Sequence, residues 1–222
     1  MGASLPPPPA HGSIVEVAWR VLVPIKHSRL AKRRLQGATR SQDDHVQLVH
    51  AIQLDTLDAV LAVTTHPLVG GLAVVADQLT IALPAQIEQL PDAGGGLNAA
   101  LRAAAEQLAV RYPDDGVVAM VGDLPALRPA DLLSVLAVAQ AHERSFVRDL
   151  QGSGTTLLAA SSADRLEPQF GPDSARRHLQ SGARELPAPL SVRCDVDSVE
   201  DLRSCLALGT GLLTAQLASS LV

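Results

Sequence analysis

Short apolar runs of strand length alternate with longer stretches whose apolar residues recur at helical spacing, along nearly the whole chain. Val17–Val23 is the first run, rich in valine and closed by Pro24, whose missing N–H cannot continue a ladder. Leu72–Ala76 and Val117–Val121 read as further strands, as do Ser145–Arg148 and Thr155–Ala160 around a Gly-Ser-Gly turn, and lastly Val192–Val196. Between them, Ser41 with Asp44 three residues on predicts a capped helix start, and Val46, Val49, Leu54, Leu57 and Leu61 continue its stripe. Helices are also predicted over Leu97–Val110, Pro129–His142, Ser174–Gln180 and Ser198–Leu208, with Leu212–Leu221 adding another. Thr80–Ile87 fits neither period, and Pro91–Gly96 reads as a turn. Strand–helix alternation of this kind predicts one α/β domain with a mostly parallel sheet and helices on both faces.

Composition narrows the function. Apolar residues make up 47% of the 222-residue chain but aromatics only 2%, so Ala, Val and Leu must fill the core. A net charge of −5 with so few aromatics argues against a nucleic-acid partner, which needs a basic face and stacking platforms. No apolar run reaches the roughly 18–20 residues of a membrane span. Residues 1–15, with four consecutive prolines after Leu5, lack the basic and apolar regions of a signal peptide and read as a disordered lead-in to a domain over residues 16–222. Cys194 and Cys205 are too few for a disulfide framework and read as buried apolar residues in a reducing cytoplasm. His11, His27, His45, His50, His66 and His142 form no ligand pattern and read as surface residues.

Two features point to chemistry. Of 18 basic residues only Lys26 and Lys32 are lysines, and both fall in a basic loop, Ile25–Gly37, at the end of the first strand. There Lys26, Lys32 and Arg34 could neutralise the phosphates of a nucleoside triphosphate, while Arg29 and Arg33 read as solvated. The loop is not a P-loop. Carboxylates occupy two other strand ends, where α/β sheets place ligands. Asp123 follows Val117–Val121, and Asp195 and Asp197 lie at i and i+2 on an extended segment, facing one side. Taken singly, Asp123 also fits a turn cap and Asp197 an N-cap; together they favour a hard-oxygen Mg²⁺ site. Gly152–Thr156 offers backbone amides and hydroxyls, and Phe170–Ser174 leads into a helix whose free amides could receive a phosphate, with Gly171 allowing close approach and Ser174 adding a hydroxyl. Among Arg176, Arg177 and His178, read as partly solvated, one could face the anion.

These segments resemble a known family. Val23-Pro24-Ile25-Lys26 with Ala31–Leu35, Gly96–Leu101, Gly122-Asp123-Leu124-Pro125, Gly152–Thr155, Phe170–Ser174 and Arg193–Asp197 are similar, in order, to segments of the 2-phospho-L-lactate/phosphoenolpyruvate guanylyltransferases of coenzyme F-420 biosynthesis. The resemblance implies a single Rossmann-like nucleotidyltransferase domain and a cytoplasmic enzyme. It implies Asp123, Asp195 and Asp197 as Mg²⁺ ligands, and Thr155, Gly171 and Ser174 as contacts to the acceptor's phosphate. Lys26 and Lys32 would meet the nucleotide together with Asn98, and Lys26, Lys32 and Arg34 would assist catalysis. GTP and phosphoenolpyruvate are the implied substrates, giving enolpyruvyl-diphospho-5'-guanosine and pyrophosphate, with 2-phospho-L-lactate as the alternative acceptor. Thr156 stands where many relatives carry Asn. A homodimer is compatible with the chain ends, but no residue pattern requires one. The D-x-D string also fits a glycosyltransferase, where it normally lies mid-chain, and the phosphate contacts fit a non-catalytic GTP-binding module. A haloacid-dehalogenase phosphatase is excluded, because no lysine follows Asp195.

Overall fold

In the computed structural model, residues 17–25, 35, 37, 39–79 and 81–221 are described. The lead-in and most of the basic loop, with Lys26, Lys32 and Arg34, lie outside them. Seven strands form one sheet in the order β3-β2-β1-β4-β6-β5-β7: β1 (Trp19–Pro24), β2 (Val69–Val75), β3 (Glu88–Leu90), β4 (Gly116–Met120), β5 (Arg144–Arg148), β6 (Thr155–Ala160) and β7 (Arg184–Glu185). Parallel pairing joins β3, β2, β1 and β4, and β5 with β7. Only β6 runs against its neighbours β4 and β5.

The helices are α1 (Gln42–Leu61), α2 (Leu97–Arg111), α3 (Pro129–Ala139), α4 (Ser174–Gln180), α5 (Leu190–Arg193), α6 (Val199–Leu208) and α7 (Leu212–Leu221). Alternation along each strand decides which layer a side chain joins. Val21, Val23, Val118 and Met120 pack with Leu57 and Val60 of α1 and Leu132 and Leu136 of α3. Leu22, Val117, Ala119 and Leu158 turn to the other face, against Ala100, Leu101, Ala104 and Leu108 of α2. Small residues let α2 sit close, as a core poor in aromatics requires. The chain's single tryptophan, Trp19, is buried and donates its indole N–H to Leu136 O at 3.1 Å.

Two details of one α1 turn organise the rim beyond β4. Thr56, fully buried, donates to Ile52 O and accepts the Leu124 amide at 3.0 Å, which holds the Gly122–Pro125 turn. Asp55 accepts the Leu213 and Thr214 amides at 3.2 and 2.7 Å. It thereby caps from α1 the first turn of α7, whose amides have no partner within their own helix. Gly211 is needed beside it, because a Cβ there would lie 2.3 Å from the Asp55 carboxyl carbon.

The predicted strand Val192–Val196 is absent: Leu190–Arg193 is a helical turn after Pro189, and residues 194–196 join no strand of the sheet. The edge strands β3 and β7, too short to show a period, were not visible in the sequence pattern. No helix among the described residues is long and apolar enough to cross a membrane.

Candidate active site

The carboxyl-terminal ends of β1 and β4 meet at Gly122, where an added Cβ would lie 3.1 Å from Val23 and 3.3 Å from the Pro24 carbonyl. Asp123 follows at this rim, half-buried. The Val196 amide donates to Asp123 O at 3.0 Å, stitching the Asp195–Asp197 segment to the turn. Cys194 and Val196 are buried against Leu48 and Ile52 of α1 and Leu202 and Cys205 of α6. Asp195 and Asp197 alternate with them and face outward, so the i, i+2 reading holds although the segment is not in the sheet. Cys194 and Cys205 are buried as expected, and the Cys205 thiol donates to Cys194 O at 3.0 Å.

One carboxylate oxygen from each of Asp123, Asp195 and Asp197 lies within 4.8 Å of the others. Ser198 rather than Asp197 is the N-cap of α6, with Asp201 closing the capping box, and α3 begins after Arg128 with no side-chain cap. The donor set is all carboxylate oxygen, the kind of ligand that hard divalent cations take.

The second half of the site lies at the β5–β6 hairpin. Asp149 accepts the Gly152 and Gly154 amides at 2.6 and 2.8 Å, so those two amides, read from sequence as open to an anion, close the hairpin instead. Arg193 ties the hairpin to the aspartate segment, donating to Arg148 O and Asp149 O, each at 3.1 Å. The Ala175 amide donates to Ser153 O at 3.1 Å, and this joins the Gly-Ser-Gly turn to the start of α4. Thr155, Gly171 and Ser174 are thereby brought to one region. Gly171 has φ +116°, a conformation open to glycine, and Ser174 is buried. Asn98, read from the sequence as a nucleotide contact, is tied to the acceptor side of the site. Its carboxamide donates to Phe170 O at 3.0 Å and accepts from Phe170 N at 2.8 Å, so it positions the Phe170–Gly171 turn.

Two histidines depart from the sequence reading. His45 is buried, not at the surface. His178, read among partly solvated residues, is wholly buried, and its Nδ1 lies 2.9 Å from Thr155 Oγ1. Its Nε2 accepts the Gln169 amide at 2.9 Å, and the Phe146 and Phe170 rings flank it. Burial, reinforced by the nearby positive charges of Arg144 and Arg177, lowers its pKa to about 4. The available signal was the i, i+4 spacing of Ser174 and His178, which puts both on one face of α4.

A protein-family model described as guanylyl transferase CofC-like matches residues 19–220. A phosphoenolpyruvate guanylyltransferase of Streptomyces coelicolor is 44% identical, the match covering 92% of this chain and 97% of that protein. One from Geodermatophilus obscurus is 44% identical over 90% and 94% of the two chains. Among solved structures, the 2-C-methyl-D-erythritol 4-phosphate cytidylyltransferase of Francisella tularensis superposes with a TM-score of 0.57 at 11% identity, covering 86% of this chain and 99% of that one; that likeness concerns the fold.

Proposed function

The chain belongs to the CofC-like guanylyl transferases, and from that premise we propose that it transfers GMP from GTP to phosphoenolpyruvate, releasing pyrophosphate and giving enolpyruvyl-diphospho-5'-guanosine, a step of coenzyme F-420 biosynthesis. The observation that carries this reading is the convergence of Asp123 with Asp195 and Asp197 within 4.8 Å beside the Thr155–Ser174 region. It supports a cation-dependent site for phosphorylated substrates.

Asp123, Asp195 and Asp197 would hold Mg²⁺, and a bound Mg²⁺ supplies charge neutralisation at the reacting phosphates. Thr155, Gly171 and Ser174 bind the acceptor's phosphate and aim one of its oxygens at the α-phosphorus of GTP. A new P–O bond forms there as the bond to the β-phosphate breaks, and pyrophosphate leaves with the electron pair. The attacking oxygen is already ionised near neutral pH, so no side chain need remove a proton. Lys26, Lys32 and Arg34 neutralise the departing pyrophosphate, and Lys26 and Lys32 contact the nucleotide. Asn98, proposed with them to meet the nucleotide, also holds the Phe170–Gly171 turn. Catalysis is then chiefly positioning and electrostatics.

The test is pyrophosphate release with GTP and Mg²⁺, offering phosphoenolpyruvate, 2-phospho-L-lactate or 3-phosphoglycerate, with ATP and CTP as controls and nucleotide sugars as a separate arm. Turnover is expected with GTP and phosphoenolpyruvate. Transfer from a nucleotide sugar, or GTP binding without pyrophosphate, would refute the proposal.

A further inference from the structure

The hydrogen bonds around His178 determine more than its burial. The Gln169 amide can only donate, so the Nε2 it meets at 2.9 Å must carry a lone pair. A neutral imidazole then has its proton on Nδ1. That proton points at Thr155 Oγ1, 2.9 Å away, and the threonine oxygen is thereby the acceptor in this pair. Its own O–H must aim elsewhere. Thr155 begins β6 and is nearly buried, with Ser174 of α4 in the same region.

We propose that His178 is a positioning residue which, locked as the Nδ1–H tautomer between Gln169 and Thr155, turns the Thr155 hydroxyl outward as a donor to the acceptor's phosphate. The inference rests on the reading of Thr155 as an acceptor contact and adds the device that orients it. A rotatable hydroxyl otherwise divides its time between donating and accepting; against an anion only donation is useful. Presetting the rotor removes an ordering cost from acceptor binding. Protonating His178 would set an N–H against the Gln169 N–H, and the guanidinium groups of Arg144 on β5 and Arg177 on α4 oppose it as well.

Two measurements test this. In the full chain labelled with nitrogen-15 at histidine, long-range proton–nitrogen correlation should show one neutral Nδ1–H ring at pH 7, assigned by its loss in H178F. An Nε2–H ring or an imidazolium at this residue overturns the proposal. In steady-state kinetics, H178F should raise KM for phosphoenolpyruvate about tenfold or more, the loss expected of one hydrogen bond to an anion, with KM for GTP and kcat little changed. H178N, whose amide nitrogen can replace Nδ1, should recover much of that loss. T155V should match H178F, and T155V/H178F should be no worse than either alone. Fully additive effects would leave His178 with a packing role and overturn the proposal. If T155V leaves acceptor KM unchanged, the assignment of Thr155 fails first, whatever the tautomer.

Discussion

At the scale of single residues, His178 has a measurable pH signature. Its folded pKa of about 4 lies below the roughly 6.5 of an unfolded histidine. Between those values the unfolded chain binds the extra proton, so stability contributed by this residue is fully present above about pH 6.5 and is lost as pH falls toward 4. The loss by pH 4 is of order 3 kcal/mol. Urea unfolding at stepped pH should show wild type losing stability more steeply than H178F across that window; parallel profiles would place the charge elsewhere. The convergence of Asp123, Asp195 and Asp197 was legible in the sequence because the end of β4 and the i, i+2 spacing are local facts. The burial of His178 and the bonds of Asn98 to Phe170 were not, since they depend on residues to which the chain returns only after folding.

At the scale of elements, α1 does more than cover the sheet. Through Thr56 it holds the Leu124 amide, and through Asp55 it caps α7. Thr56→Val keeps the side-chain shape but removes the acceptor. It should cost about 1–3 kcal/mol, the penalty for a buried amide left unpaired, and lower kcat by loosening the turn that carries Asp123. Denaturant midpoints and turnover would be measured together, and a variant with both unchanged would show that other contacts hold the turn. Helices with caps and stripes, such as α1 after Ser41 and α6 after Ser198, were readable to within a residue or two. The segment after Pro189 was misread because Val192 and Val196 are buried as strand residues would be, yet Val192 joins the core that includes α3, and Val196 packs against α1 and α6, rather than either joining a ladder. Strands β3 and β7 were missed because sheet edges of three and two residues are set by neighbours rather than by a period.

At the scale of the molecule, metal binding should be visible without turnover. Mg²⁺ at about 100 times its dissociation constant adds about 2.7 kcal/mol of stability, a rise of about 5–10 °C in Tm for a chain of this size. Chelation should reverse the rise, and Asp123→Asn should abolish it while leaving the metal-free Tm near that of wild type. An equal shift in the variant would remove Asp123 from the ion. The reversed strand β6 has a further consequence, for the order of assembly. Its pairing with β5 closes over a short turn and can form quickly, whereas β1 meets β2 and β4 only after long crossovers. The proposed acceptor pocket is complete once the chain has reached α4. The triad waits for Asp195 and Asp197 to come back to β4. A ribosome-bound chain that had emerged only as far as Gly182 would therefore hold the acceptor-side contacts but lack two of the three carboxylates, and competence for transfer would arrive as one of the last events of folding.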